Sequence, residues 1–368
     1  MKHMNFLTLF FSIAFSVFAC SSNESETNPL PGPDDDDKPT SEEFAKGADI
    51  SWITEYESKG YAFYNSNGEK RECTALMKEL GLDAVRLRVW VNPTAHNNWC
   101  NKEDLLVKAR RAKDLGMDIM VNFHYSDWWA DPGKQNIPDA WKSHTYEQMK
   151  KDVADHTIEV LQLLKNNQIT PKWVQVGNET SNGFLWDMGK ADKNPKQYAG
   201  LFAAGYEATK NVFPDAIVIA HLDNGFSNGL YNWNLDILKD NGAKWDMIGM
   251  SLYPYWAMQN TDFSYTTADA VISDCIANIK KVAAKYNCDV MIVETGMECA
   301  DDKGSLATSA VLEEGKRQLA RIMKECKENT DGRCKGVFYW EPECKPSQYR
   351  LGAFTEEGRP TIIMDAFK

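Results

Sequence analysis

Short apolar runs recur along the chain, and most are followed by a stretch whose apolar positions repeat with a helical period. The runs cover 48–52, 84–90, 118–124, 173–178, 216–222, 247–253, 290–294 and 336–340. The amphipathic stretches between them cover 69–80, 102–115, 146–166, 196–212, 230–241, 268–286 and 308–328, and stop signals such as Leu80-Gly81 and Leu115-Gly116 end several of them. Within the second run Val85, Leu87 and Val89 alternate with Arg86, Arg88 and Trp90, the period of a strand with one apolar face. Eight strands alternating with helices predict a parallel sheet, and eight is the number that closes one into a barrel. An open doubly wound sheet is the alternative, but no turn of GxGxxG type follows any strand. The expected fold is α/β, a single (β/α)8 TIM barrel over 45–368.

The amino terminus breaks this pattern. Met1-Lys2-His3 leads into an apolar stretch from Phe6 to Phe18, then Ala19-Cys20. A positive start, a short apolar run and a small residue before the break describe an export signal, and the run is too short to span a bilayer. Val17-Phe18-Ala19-Cys20 resembles a bacterial lipobox, so residues 1–19 are read as a lipoprotein signal and Cys20 as the lipidated first residue. Residues 20–44, rich in Ser, Asn, Glu, Pro and Asp, have no apolar periodicity and read as a flexible acidic tether. The expected location is the bacterial outer membrane, on the cell surface. Eight further cysteines, an even number, then suggest disulfides.

Composition narrows the partner. The net charge of −12 argues against nucleic acid, which needs basic surface to neutralise phosphates. Twelve Trp, 14 Tyr and 16 Phe exceed what a core needs, and flat aromatic surfaces suit sugar rings. A monomer acting on a polysaccharide is expected, with no cofactor. With six His and no HxH or CxxC spacing, no metal site is expected either.

In a barrel of this kind the functional groups gather at the carboxyl ends of the strands. Those ends carry Asp49; Arg86 and Arg88; His124, Asp127, Trp128 and Asp131; Asn178 and Glu179; His221; Tyr253; Glu294; and Trp340. Glu179 and Glu294 each follow an apolar strand, the fourth and the seventh. Carboxyl groups about 5–5.5 Å apart suit retaining glycoside hydrolysis, one attacking the anomeric carbon and the other moving the proton. The competing reading is that both pair with Arg in a buried network. Arg86 or Tyr253 is placed to keep Glu294 charged; Arg88 shares the face of Arg86, and the sequence does not choose between them. Asn178 is a candidate to bond a sugar 2-hydroxyl, and Trp340 is a candidate floor for the ring. His221 is either a satisfied barrel-lining residue or a ligand contact. Trp128-Trp129 is followed by a turn without apolar period, which favours an exposed platform.

Asn-Glu closing strand four and Glu closing strand seven is the pattern of the clan A glycoside hydrolases. Within it the chain resembles glycoside hydrolase family 53, the endo-β-1,4-galactanases. The resembling segments are Gly47-Ala-Asp-Ile-Ser-Trp52, Val85-Arg-Leu-Arg-Val-Trp-Val-Asn-Pro93, Asn122-Phe-His-Tyr-Ser-Asp-Trp-Trp-Ala-Asp-Pro-Gly-Lys-Gln135, Gln175-Val-Gly-Asn-Glu-Thr180, Ser251-Leu-Tyr-Pro-Tyr-Trp256, Ile292-Val-Glu-Thr295 and Tyr339-Trp-Glu-Pro342. The resemblance implies Glu179 as acid/base, Glu294 as nucleophile, cleavage within β-1,4-galactan, and His124, Asp127, Trp128 and Asp131 along the substrate groove. Bacterial relatives often carry a calcium loop after the seventh strand. Here that region, Met297-Glu-Cys-Ala-Asp-Asp-Lys-Gly-Ser305, lacks alternating ligands, so no calcium is expected. A Cys299–Cys344 disulfide is expected as a strap in its place, and Cys73 and Cys100 as a second pair. The rivals are another clan A activity, a mannanase or an endoglucanase, and a glycan-capturing lipoprotein without catalysis.

Overall fold

The structure, a computed structural model, describes residues 44–368; the signal, Cys20 and the tether up to residue 43 lie outside the described residues. Eight parallel strands close into a barrel. They are β1 (Ala45–Asp49), β2 (Ala84–Val89), β3 (Asp118–Phe123), β4 (Trp173–Val176), β5 (Ile217–Leu222), β6 (Met247–Leu252), β7 (Asp289–Thr295) and β8 (Cys334–Trp340). Each pairs with its sequence neighbours, and β1 closes the ring by pairing with both β2 and β8. Seven long helices return the chain: α1 (Cys73–Glu79), α2 (Lys102–Asp114), α3 (Tyr146–Asn166), α4 (Pro195–Val212), α5 (Asn228–Asp240), α6 (Ala268–Tyr286) and α7 (Ser309–Glu328). A 3-10 segment, Ile362–Phe367, takes the eighth position and packs on α7. Among the described residues no helix is long and apolar enough to cross a membrane.

The expected strands coincide with the observed ones except at the first, which runs over Ala45–Asp49 rather than 48–52. Its inward positions are Ala45, Gly47 and Asp49, so hydropathy is nearly blank there. Gly47 is required because a Cβ at that position would come within 2.2 Å of the Phe338 ring, which fills the barrel beside it.

The alternation in β2 separates two environments. Val85, Leu87 and Val89 face outward into the layer shared with Leu105 and Ala109 of α2. Each fully buried side chain of this kind contributes about 1.5–3 kcal/mol. Arg86 and Arg88 face inward and are wholly buried. Lower down, the interior is sealed by an apolar plug that includes Met120, Trp173, Ile219, Met247, Met291 and Phe338. Polar side chains are therefore confined to the upper barrel, above that plug.

The eight described cysteines are free thiols, which corrects both expected disulfides. Cys299 Sγ lies 3.7 Å from the Phe354 carbonyl oxygen, while Cys344 Sγ accepts from the Tyr56 hydroxyl at 3.3 Å. Cys73 is buried in the outer core, and Cys100 Sγ approaches the Ser51 carbonyl oxygen at 3.7 Å. Most of these thiols are buried and act as small apolar fillers.

Candidate active site

The upper barrel is organised by Arg86. Its Nε donates to Gln175 Oε1 (3.1 Å), Nη1 to Asp49 Oδ2 (2.8 Å), and Nη2 to both Asn178 Oδ1 (2.8 Å) and Glu294 Oε1 (2.8 Å). Glu294 Oε2 accepts from the Tyr253 hydroxyl at 3.0 Å. Both candidate partners of Glu294 thus hold it together. Arg88 instead pairs with Glu341 and lies 4.3 Å from the Trp129 ring centroid and 5.1 Å from that of Trp52.

A break in strand alternation aims Glu294. In β7, Met291 and Val293 both belong to the inward apolar plug, so a regular strand would turn residue 294 outward. The ladder with β6 shifts there: Met250 pairs with Ile292, but the next pair is Ser251 with Glu294. The extra residue is a bulge that returns Glu294 to the barrel mouth. Glu179 is presented differently, by a turn beyond β4. Gly177 has φ +82°, and a Cβ there would lie 2.4 Å from Thr180 Cγ2; Glu179 itself is left-handed at φ +46°.

Glu179 Oε1 accepts from Ser251 Oγ at 2.6 Å. Ser251 is the register partner of Glu294 on the adjacent strand, and such neighbours lie roughly 5 Å apart. The two carboxyls therefore open on one cleft of about 530 Å3. Behind Ser251, His221 Nε2 lies 2.8 Å from its hydroxyl, while His221 Nδ1 accepts from the Glu179 backbone N–H (3.2 Å) and from Gln175 Nε2 (2.7 Å). That pattern fixes the tautomer with hydrogen on Nε2, so that His221 donates to Ser251 Oγ and Ser251 in turn donates to the Glu179 carboxyl. Burial holds His221 neutral, well below the ordinary histidine range.

The two acids differ electrostatically. Burial raises Glu179 well above the carboxylate range, and the charges of Glu294 and Asp223 push it further. Burial also raises Glu294, but Arg86 and the Tyr253 hydroxyl oppose the rise. Glu294 is the more acidic of the pair, and Glu179 keeps its proton.

Glycosyl hydrolase family 53 matches residues 45–360, the whole barrel with its acidic pair. The chain belongs to that family. It is 30% identical to the endo-beta-1,4-galactanase of Bacillus subtilis (strain 168), over 88% of this chain and 75% of that one. It is 31% identical to a probable arabinogalactan endo-beta-1,4-galactanase A of Aspergillus terreus, over 81% and 85% of the two chains. Among solved structures, the GH53 catalytic domain of Ignisphaera aggregans superposes with a TM-score of 0.76 at 26% identity, covering 93% of this chain and 98% of that one.

In this family 53 chain, Glu179, Glu294, His124, Asp131, Asn178, Tyr253 and Trp340 all line the cleft. His124 Nδ1 accepts from Trp90 Nε1 (3.3 Å) and the Ala130 N–H (3.1 Å), leaving Nε2–H as its free donor. Asn178 Nδ2 donates to the Ala130 carbonyl (2.8 Å), which leaves one amide hydrogen for a ligand. Asp131 sits at the rim, paired with Lys134 at 2.8 Å. Trp340 packs edge-on to Trp52 (centroids 5.3 Å) and Tyr349 (4.8 Å), forming an aromatic wall. Asp49, Arg86, Arg88 and His221 lie behind this surface and act through it; of the two readings of His221, the satisfied barrel residue is the observed one.

Asp127 and Trp128 fall outside the cleft, contrary to expectation. Asp127 clamps two loops by accepting the backbone N–H of Asn92 (3.0 Å) and of Asp139 (2.8 Å). Trp128 stacks on His96 (centroids 3.3 Å) beside a neighbouring depression, and Trp129 takes the cleft position expected of it. The sequence places Asp223 at the end of the fifth strand and Ser251 within a segment of the family resemblance, but assigns neither a role in the constellation. Each lies two residues from a named residue, His221 and Tyr253, so period-two alternation, taken one residue past β5 and back into β6, finds both.

Proposed function

We propose that the chain is a retaining endo-β-1,4-galactanase acting on galactan and type I arabinogalactan. The observation that carries this reading is the meeting of Glu179 and Glu294 in one cleft, with Glu179 raised further than Glu294, whose rise Arg86 and Tyr253 oppose. Glu294, held by Arg86 and Tyr253, attacks the anomeric carbon. Glu179 donates its proton to the departing glycosidic oxygen. Forming the glycosyl ester removes the Glu294 charge, so the affinity of Glu179 for a proton falls and it can take one from the attacking water. The spare hydrogen of Asn178 and the aromatic wall around Trp340 suit a sugar 2-hydroxyl and the C–H face of its ring. The names of the relatives from Bacillus subtilis and Aspergillus terreus support galactan over mannan or cellulose.

The leader with Cys20 supports an exported lipoprotein on the outer membrane; palmitate labelling lost in Cys20→Ala tests the anchor. The activity is tested by the products from unbranched galactan, with mannan and cellulose in parallel and the anomer followed by NMR. Internal cleavage of galactan with a first-formed β-anomer is expected. An α-anomer, or a preference for mannan, overturns the assignment.

A further inference from the structure

Glu343 lies beneath the cleft with no role in the chemistry above. It is 1% exposed, and neither carboxyl oxygen has a hydrogen-bond donor. An ionised carboxylate in such a place carries a desolvation cost of several kcal/mol with nothing to offset it. Its carboxyl abuts that of Glu341, which is fully buried and already committed: Oε1 pairs with Arg88, and Oε2 accepts the Trp52 backbone N–H at 3.2 Å. Two buried carboxyls in contact cannot both ionise, and Glu341 is the one that faces a cation. The other groups facing the pair are Asp49 of β1, Tyr56, Cys73 of α1, Cys100 and Cys344. None of these five is a cation, and Arg88 is the guanidinium that pairs with Glu341.

We propose that Glu343 is a protonated acid that donates its hydrogen to Glu341, and that the pair positions Arg88 and the tryptophans above it for substrate. The link to the cleft is physical. Arg88 leaves Nε and Nη2 without hydrogen-bond partners and spends that face of its guanidinium on Trp52, Trp90 and Trp129. Trp52 and Trp129 line the cleft, and Trp52 is also tied to Glu341 through its backbone. Glu343 is thus a positioning residue: its proton keeps Glu341 singly committed to Arg88. Burial pushes Glu343 well above the carboxylate range and holds Glu341 up at about 7. The proposal concerns substrate positioning in the galactanase reading and rests on it for its kinetic arm alone.

Two variants test it. Glu343→Leu removes the donor and is expected to raise KM for galactan about fivefold with kcat within about twofold, the loss of roughly one hydrogen bond. Glu343→Gln keeps a donor to Glu341 and restores KM. The second arm needs no substrate. In a Glu179→Gln background, the infrared carbonyl band of a neutral carboxylic acid persists well above pH 7, where Glu341 is ionised, and disappears when Glu343→Gln is added. An unchanged KM in Glu343→Leu, or a band that survives Glu343→Gln, overturns the proposal. If galactan proves not to be the substrate, the infrared result still decides the protonation.

Discussion

The lower and upper halves of the barrel interior are built from the same eight strands and share almost nothing else. Below, the inward positions are apolar: Ala45, Ala84, Met120, Trp173, Ile219, Met247, Met291, Val293 and Phe338. One or two rungs higher the same strands carry Asp49, Arg86, Arg88, Asn122, Gln175, His221, Ser251 and Glu294, all buried. The lower half gains stability by removing apolar surface from water. The upper half gives some of that back, because its acids outnumber its two guanidiniums and must share protons to exist there. Stability and chemistry are thus separated by height along the strand.

That separation can be broken most severely at the top. Glu294→Ala is expected to lower kcat on galactan by at least about 10^4-fold while the protein still binds the polysaccharide. Glu179→Ala is expected to lose about 10^2- to 10^4-fold, with partial rescue by azide and a β-linked azide product. An α-linked product from that variant would exchange the two roles. Neither substitution should lower the melting temperature.

The bottom predicts the reverse. Phe338→Ala empties the space beside Gly47 and should cost about 3–5 kcal/mol in denaturant unfolding. Its kcat, measured well below the new transition, should stay within about twofold of the parent. A large kinetic defect there would mean the halves are mechanically coupled.

The smallest effect sharpens the comparison within the upper half. Asp223 raises Glu179 by its charge. Glu179 must be protonated to act as the acid, so its titration sets the alkaline limb of the kcat/KM profile. Asp223→Asn should move that limb to lower pH. A shift to higher pH would contradict the assigned electrostatics.

The alternation of Val85, Leu87 and Val89 with Arg86 and Arg88 made the barrel and its polar interior readable, because period two is a direct record of which face is buried. The boundary of β1 was less so, since Gly47 carries no side chain to signal its face. At the site, the acids and Arg86 were legible from strand ends. The loop clamp made by Asp127 was not legible, because a carboxylate on a strand-end loop serves a clamp as readily as a sugar, and the contacts with Asn92 and Asp139 come only from the fold. Glu343 was invisible for the opposite reason: three residues beyond a strand end, an acid looks solvated, and nothing local says that it turns inward. The free thiols show the limit of counting, since an even number of cysteines carries no information about which side chains meet.

The irregularity in β7 has an architectural consequence. A strand of strict period two offers seats only on alternate rungs, so a carboxyl just above Val293 would be directed at the helices. By spending one unpaired residue, the strand seats a valine that seals the floor and, immediately after it, the acid that opens on the cleft. Deleting Val293 would restore a regular ladder, with the acid still opposite Ser251 but with no valine left to seal the floor beneath it. The catalytic address in this barrel is therefore set by one unpaired residue, which lets two successive side chains of a single strand serve the floor and the chemistry in turn.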